Sequence, residues 1–227
     1  MEKPAAVRAV VFDAYGTLFD VYSVGLLAEQ MFPGQGETLA LLWRDKQIEY
    51  TRITSMSGRY QPFWTLTRAG LRFAAQRLGL GLNAAAEERL MNQYRHLSAF
   101  PENLDVLREL KRRAIPTAIL SNGDPEMLGV AVKSAGFSGY LDHVLSVHPI
   151  RKYKTDPAAY ALGPQTLKLP VKQILFVSSN GWDAIGATWY GYTTLWVNRH
   201  SLPLEQLDTE PTRIGSSLRD VLDFFPS

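Results

Sequence analysis

The stretch VVFDAYGTLF, Val10 to Phe19, decides the fold. Three apolar residues lead without interruption into a carboxylate, Asp13, and a turn around Gly16 and Thr17 follows at once. An unbroken apolar run, with no polar residue alternating in it, reads as a strand covered on both faces, as in parallel sheets. Four later runs share that character. Together they predict strands at Arg8–Phe12, Pro116–Leu120, His143–Val147, Ile174–Val177 and Thr193–Val197. Helical stretches alternate with them. PENLDVLRELKRR, 101–113, sets Leu104, Leu107 and Leu110 on one stripe and closes on cations, which suit a helix C-terminus. Further helices are predicted over Pro125–Ala135, Pro157–Leu167, Trp182–Tyr190 and Ser217–Phe224. Strands alternating with helices give an α/β fold with a Rossmann-like, doubly wound, mainly parallel sheet.

One region breaks the alternation. Between the first strand and residue 98 the patterns are helical only: Val24–Phe32, Glu37–Thr54, Pro62–Leu78 and Ala84–Leu97, with turns at FPGQG, SMSGRYQP and GLGLN. The expectation is a helical cap domain, 21–98, inserted into an α/β core domain made of 1–20 and 99–227. Ligands of open α/β sheets bind at the carboxyl ends of the strands. Asp13, Ser121 and the run Ser178–Asn180 all fall at such ends.

Composition narrows the function. A net charge of +2 over 227 residues implies neither a nucleic-acid nor a membrane-surface partner. With no cysteine there is no disulfide, no thiolate nucleophile and no cysteine zinc site. The opening MEKPAAVRAVVFDAYG has no signal-peptide core, and no apolar run approaches the roughly 20 residues that span a bilayer. A cytoplasmic protein is expected.

The residues at the strand ends have plain readings and chemical ones. Asp13 alone suits a turn; after a buried strand it also suits a nucleophile. Ser121 and Asn122 in ILSNG fit either an Asn-Gly turn or a pair of groups aimed at an anion. RKYKTDPAAY holds Arg151, Lys152 and Lys154 in what is ordinarily a solvated loop, unless one lysine turns inward to Asp13 and favours its charged form. FVSSNGWDAIGA carries more polar groups than a strand–helix joint needs, which favours a site. Tyr60 to Trp64 reads as helix core, and nothing in its own surroundings singles out Arg44. The four histidines lack ligand spacing.

Taken together, these segments resemble the haloacid dehalogenase superfamily, with helical cap included. VVFDAYGTLFD is similar to its first motif, ILSNG to its second, Lys154 to its third and SSNGWD to its fourth. The resemblance is closest to the L-2-haloacid dehalogenases, marked by F-D-x-Y-G-T-L-F, a cap W-R, L-S-N-G and F-V-S-S-N-x-W-D. It implies Asp13 as nucleophile, within a polar network of Thr17, Lys154 and Asp183. It implies that Ser121, Asn122 and the amides of Ala14 and Tyr15 hold a substrate carboxylate. Arg44, Asn122 and Phe63 would receive the leaving halide. Tyr160, Ser178, Ser179, Asn180 and Trp182 match further positions used for catalysis or site shape, and Asp183, with Asn180, would direct the hydrolytic water. The partners implied are a small 2-haloacid and a halide ion, in a homodimer.

Phosphatases of the superfamily carry a second aspartate in the first motif and more acids in the fourth, which help to hold Mg²⁺. Here Tyr15 and a single Asp183 stand instead, so no metal and no cofactor are expected. Asp45, His148 and Thr155 depart from the pattern of close relatives and bear on substrate range and halide preference. Two other readings are a phosphatase or phosphonate hydrolase on the same fold, and a non-catalytic module that binds small carboxylates.

Overall fold

Four consecutive residues with no exposed surface, Ala9–Phe12, form strand β1 near the middle of a six-stranded parallel sheet. The computed structural model describes residues 6–226. The other strands are β2 (Thr117–Ser121), β3 (His143–Ser146), β4 (Ile174–Ser178), β5 (Thr193–Val197) and β6 (Arg213–Gly215), in the order β3-β2-β1-β4-β5-β6. Every pairing is parallel. Val10, Val11 and Phe12 are fully buried, each side chain contributing about 1.5–3 kcal/mol by leaving water. The winding direction reverses at β1, which pairs with β2 on one side and β4 on the other, so the crevice lies at their carboxyl ends.

Helices α1 (Val24–Met31), α2 (Gly36–Met56), α3 (Phe63–Arg77) and α4 (Ala84–Arg95) follow β1 and carry no strand among them. The chain leaves and re-enters the sheet layer at one neck, where Phe19 bridges Ala99 and the Asp20 amide donates to the Ser98 carbonyl at 2.8 Å. Helices α5 (Asn103–Arg112), α6 (Pro125–Ser134), α7 (Pro157–Leu167) and α8 (Gly181–Tyr190) connect the strands. In α5 the buried stripe is Val106, Leu107 and Leu110. Asp156 caps α7 ahead of Pro157 by accepting from the Ala158 amide, and Gly191 ends α8 at φ 110°.

Sequence and structure part in three places. β3 is the edge strand, with His143 and Val144 exposed. β6 extends the opposite edge, and only three residues form it. Residues Leu218–Phe224 form a 3₁₀ helix, started by a capping box between Ser217 and Asp220.

Candidate active site

Asp13 leaves β1 directly into a tight turn, which Gly16 permits with φ 92°. Asp13 is only 6% exposed, and each carboxylate oxygen is committed. Oδ1 accepts from the Lys154 ammonium at 2.9 Å. Oδ2 accepts from the Thr17 hydroxyl at 2.9 Å, the Asn180 side-chain amide at 2.8 Å and the Ser178 hydroxyl at 3.5 Å. The turn after β1, the end of β4 and the loop before α7 thereby converge on one carboxylate. Among the described residues, the Ala14 and Tyr15 amides donate to no protein acceptor.

Lys154 comes from the basic loop that reads as solvated. It is 3% exposed, whereas Arg151 and Lys152 stand in solvent. Its ammonium lies 2.9 Å from both Asp13 and Asp183 and 5.0 Å from the centre of the Phe176 ring. Burial alone pushes the ammonium down, but the Asp13 and Asp183 charges outweigh it and hold the group above its ordinary value. Asp183, in the first turn of α8, is fully buried. Burial pushes its carboxyl up to about 6, and the Asp13 charge adds to this while Lys154 opposes it. Tyr160 donates its hydroxyl to Asp183 Oδ1 at 2.8 Å. Burial, then the Asp183 charge, raises the phenol, which keeps Tyr160 a neutral donor.

Arg44 reaches the sheet from α2, 7% exposed. One guanidinium nitrogen donates to the Tyr15 carbonyl at 3.1 Å and the Asn180 side-chain oxygen at 3.2 Å. The other donates to Gln47 Oε1 at 2.7 Å. Gln47, fully buried, also accepts from the Tyr94 hydroxyl and donates to the Thr67 hydroxyl at 2.6 Å. Thr67 in turn donates to the Phe63 carbonyl at 2.8 Å. One chain of hydrogen bonds thus joins Arg44 to Phe63 across α2 and α3. Asp45 points to solvent and takes no part. Phe63 opens α3 and packs on the Tyr15 ring at 5.6 Å; Tyr15 continues onto Tyr94 at 5.8 Å.

The Asn122 side-chain oxygen accepts from the Lys154 amide at 3.0 Å, and the Ser121 hydroxyl accepts from the Gly123 amide. Gly123 is needed for close approach: a Cβ there would lie 2.6 Å from the Tyr15 ring. Ser179 and Trp182 stand farther out. The Ser179 amide donates to Thr17, while its hydroxyl accepts from Arg199 at 2.6 Å rather than facing Asp13. Trp182 lines, with Arg44 and Asn180, an outer cavity of about 180 Å³ and lies under Arg52 at 5.3 Å.

The donor set does not suit a divalent cation. The Lys154 ammonium pairs with both Asp13 and Asp183, and position 15 offers a ring buried among aromatics instead of a second carboxylate. Among the described residues, no three acidic, histidine or cysteine side chains group as metal ligands.

The family model of haloacid dehalogenase-like hydrolases matches residues 7–191. The chain belongs to this family. Within these hydrolases it is 44% identical to the (S)-2-haloacid dehalogenase of Pseudomonas sp. strain YL, over 96% of this chain and 94% of that one. The crystal structure of an L-2-haloacid dehalogenase aligns with a TM-score of 0.95 at 59% identity, covering 97% of this chain and 99% of the other. The L-2-haloacid dehalogenase of Xanthobacter autotrophicus with chloropropionic acid covalently bound aligns at 0.90 and 34% identity, over 97% and 100%. The chain shares the L-2-haloacid dehalogenase fold throughout, helical insert included.

Sequence reasoning missed several residues of this hydrolase's site. Gln47 reads as one more polar residue on a cap helix. Asn103 donates to the Thr17 and Leu18 carbonyls from a fully buried position, and Arg199 holds Ser179 while pairing with Glu102 at 2.9 Å. Only three-dimensional proximity reveals them. Among the described residues, no helix is long and apolar enough to cross a membrane.

Proposed function

We propose that this chain hydrolyses short-chain L-2-haloalkanoic acids to D-2-hydroxy acids, acting as an (S)-2-haloacid dehalogenase through an ester on Asp13. The observation that carries the reading is the buried triad Asp13–Lys154–Asp183 with Arg44 reaching over it from the insert. A carboxylate held by one ammonium and three neutral donors is oriented for attack rather than for metal binding. An Asp13 oxygen attacks C2, the carbon–halogen bond breaks, and halide leaves with the bonding pair. Ser121, Asn122 and the free amides of Ala14 and Tyr15 hold the substrate carboxylate. Arg44, Asn122 and Phe63 receive the halide, donors aimed at the charge that develops. Attack opposite the leaving group inverts C2.

Water then adds to the ester carbonyl, and Asp183 takes its proton. A carboxyl near pH 6 is mostly ionised at neutral pH yet remains a useful base. Tyr160 and Asn180 keep Asp183 and the Asp13 group in register. Collapse of the adduct breaks the bond between the ester carbon and the alkoxide oxygen, releasing the hydroxy acid and restoring Asp13. Overall, 2-haloacid and water give 2-hydroxy acid, halide and one proton.

The reaction in this scheme uses no metal and no cofactor. The core comprises 1–20 and 99–227 and the cap 21–98, a division supported by the neck at Phe19 and Ala99. Family resemblance supports a homodimer. The near-neutral charge and absence of cysteine fit a cytoplasmic location.

One turnover in H₂¹⁸O with enzyme in excess tests the ester. The label is expected in the Asp13 peptide, while the first D-2-hydroxy acid carries ordinary oxygen. An unlabelled peptide beside labelled first product would make Asp13 a general base instead.

A further inference from the structure

Asp124 follows the Ser121–Asn122 turn and stands at the N-cap of α6, where an aspartate ordinarily folds back onto its own helix. Here it makes no such bond. Its carboxylate is turned across the crevice to the insert. Oδ1 accepts from the Phe63 amide at 3.1 Å and Oδ2 from the Trp64 amide at 2.8 Å. These are the first two residues of α3, whose amides have no partner inside the helix and sit at its positive end. Pro62, the N-cap residue of α3, supplies no side-chain cap. A core residue therefore caps a cap-domain helix and leaves its own helix without a side-chain cap.

The outer side of this contact is closed by His148, whose Nδ1 lies 3.1 Å from Asp124 Oδ1 and 2.9 Å from the Tyr60 hydroxyl. Tyr60 packs on Tyr153 at 5.0 Å, next in sequence to Lys154. His148 thus belongs to the same strap.

We propose that Asp124 is a positioning residue that sets the width of the halide cradle and with it the preference among leaving halides. The proposal rests on the dehalogenase reading above. Two walls of that cradle are Asn122 and Phe63. Asp124 is two residues from the first by the chain and is bonded to the backbone of the second. The Phe63 carbonyl is meanwhile fixed through Thr67 and Gln47 to Arg44. Releasing the amide end leaves Phe63 tethered on one side only, so the ring can withdraw from Asn122. A small halide then loses contact first, and a larger one still fills the space.

The test compares wild type, Asp124→Ala and Asp124→Asn on L-2-chloropropionate and L-2-bromopropionate, together with hydrogen exchange of the amides of Phe63 and Trp64. In Asp124→Ala, kcat/KM for the chloro substrate is expected to fall about tenfold, the size of effect a lost cap and a shifted wall produce, and the bromo substrate to fall much less. Exchange at both amides should quicken, and Asp124→Asn, which keeps an acceptor, should recover part of each loss. Equal losses on both substrates, or an unchanged ratio with quickened exchange, would overturn the cradle role. Unchanged exchange would overturn the strap itself. If wild type released halide from neither substrate, the dehalogenase reading would fall, and the exchange data would still judge the strap.

Discussion

Replacing Lys154 by Met removes the one cation between two buried carboxylates and keeps most of the side-chain volume. Each carboxylate lies 2.9 Å from the ammonium, and at an effective dielectric of about 20 such a contact is worth roughly 6 kcal/mol before desolvation is counted. The lysine side chain is 1% exposed, so much of that gain offsets the cost of drying three charges. Removing one partner of a buried pair leaves about 3–5 kcal/mol of destabilisation. The variant can escape part of this by binding a proton in the place of the ammonium. Its shared carboxyl then has a folded pKa well above the unfolded one. Such a group costs nothing at low pH, and stability is lost as pH rises through the folded value, by at most about 1.4 kcal/mol per pH unit for one proton. Wild type has a smaller loss of this kind that ends above about 6, where Asp183 is ionised. The stability gap between the two proteins should therefore widen by about 2 kcal/mol between about pH 5.5 and about pH 8. Urea unfolding at the two pH values measures it. A gap of the same size at both, or one below about 1 kcal/mol throughout, would refute the reasoning.

Two further outcomes follow from the same site. Gln47→Leu strips Arg44, Tyr94 and Thr67 of a buried partner, so stability should fall by about 1–3 kcal/mol, and inhibition by product halide should weaken as Arg44 loses its aim; unchanged halide inhibition would separate Gln47 from Arg44. Halide release should survive exhaustive chelation, and activity that vanishes and returns with Mg²⁺ would refute the metal-free scheme.

The strands of the central sheet are legible because burial on both faces demands unbroken apolar runs, as in β1 and β4. The edges are not. β6 is Arg-Ile-Gly with two exposed residues and has no apolar run to give it away, while HVLSV looks internal although the fold leaves His143 and Val144 uncovered. Within the site, Asp13 stands out because it ends a buried strand and other polar strand ends fall on the same edge. Lys154 is one of several cations in its loop, and its inward turn depends on two carboxylates distant in sequence. Gln47 and Asp124 leave no trace in the local pattern, since a glutamine on a helix and an aspartate before Pro125 are ordinary there. Their partners come from other elements, which sequence spacing does not record.

The polar contacts of Asp13 settle where two hydroxyl protons point. The Thr17 oxygen receives the Ser179 amide at 2.8 Å, and the Ser178 oxygen receives the Asn180 amide at 3.1 Å. A backbone N–H only donates, so each hydroxyl oxygen is the acceptor in that bond and its single proton is left for Asp13 Oδ2. The direction of both donors is thus written into the backbone of the β4–α8 joint and does not depend on what occupies the crevice. In the ester scheme with Oδ1 as the attacking oxygen, Oδ2 bears charge twice, as part of the resting anion and again when water adds to the carbonyl. Solvent would have to turn to meet that second charge, whereas these two protons already face it, so the step carries little reorganisation of its surroundings.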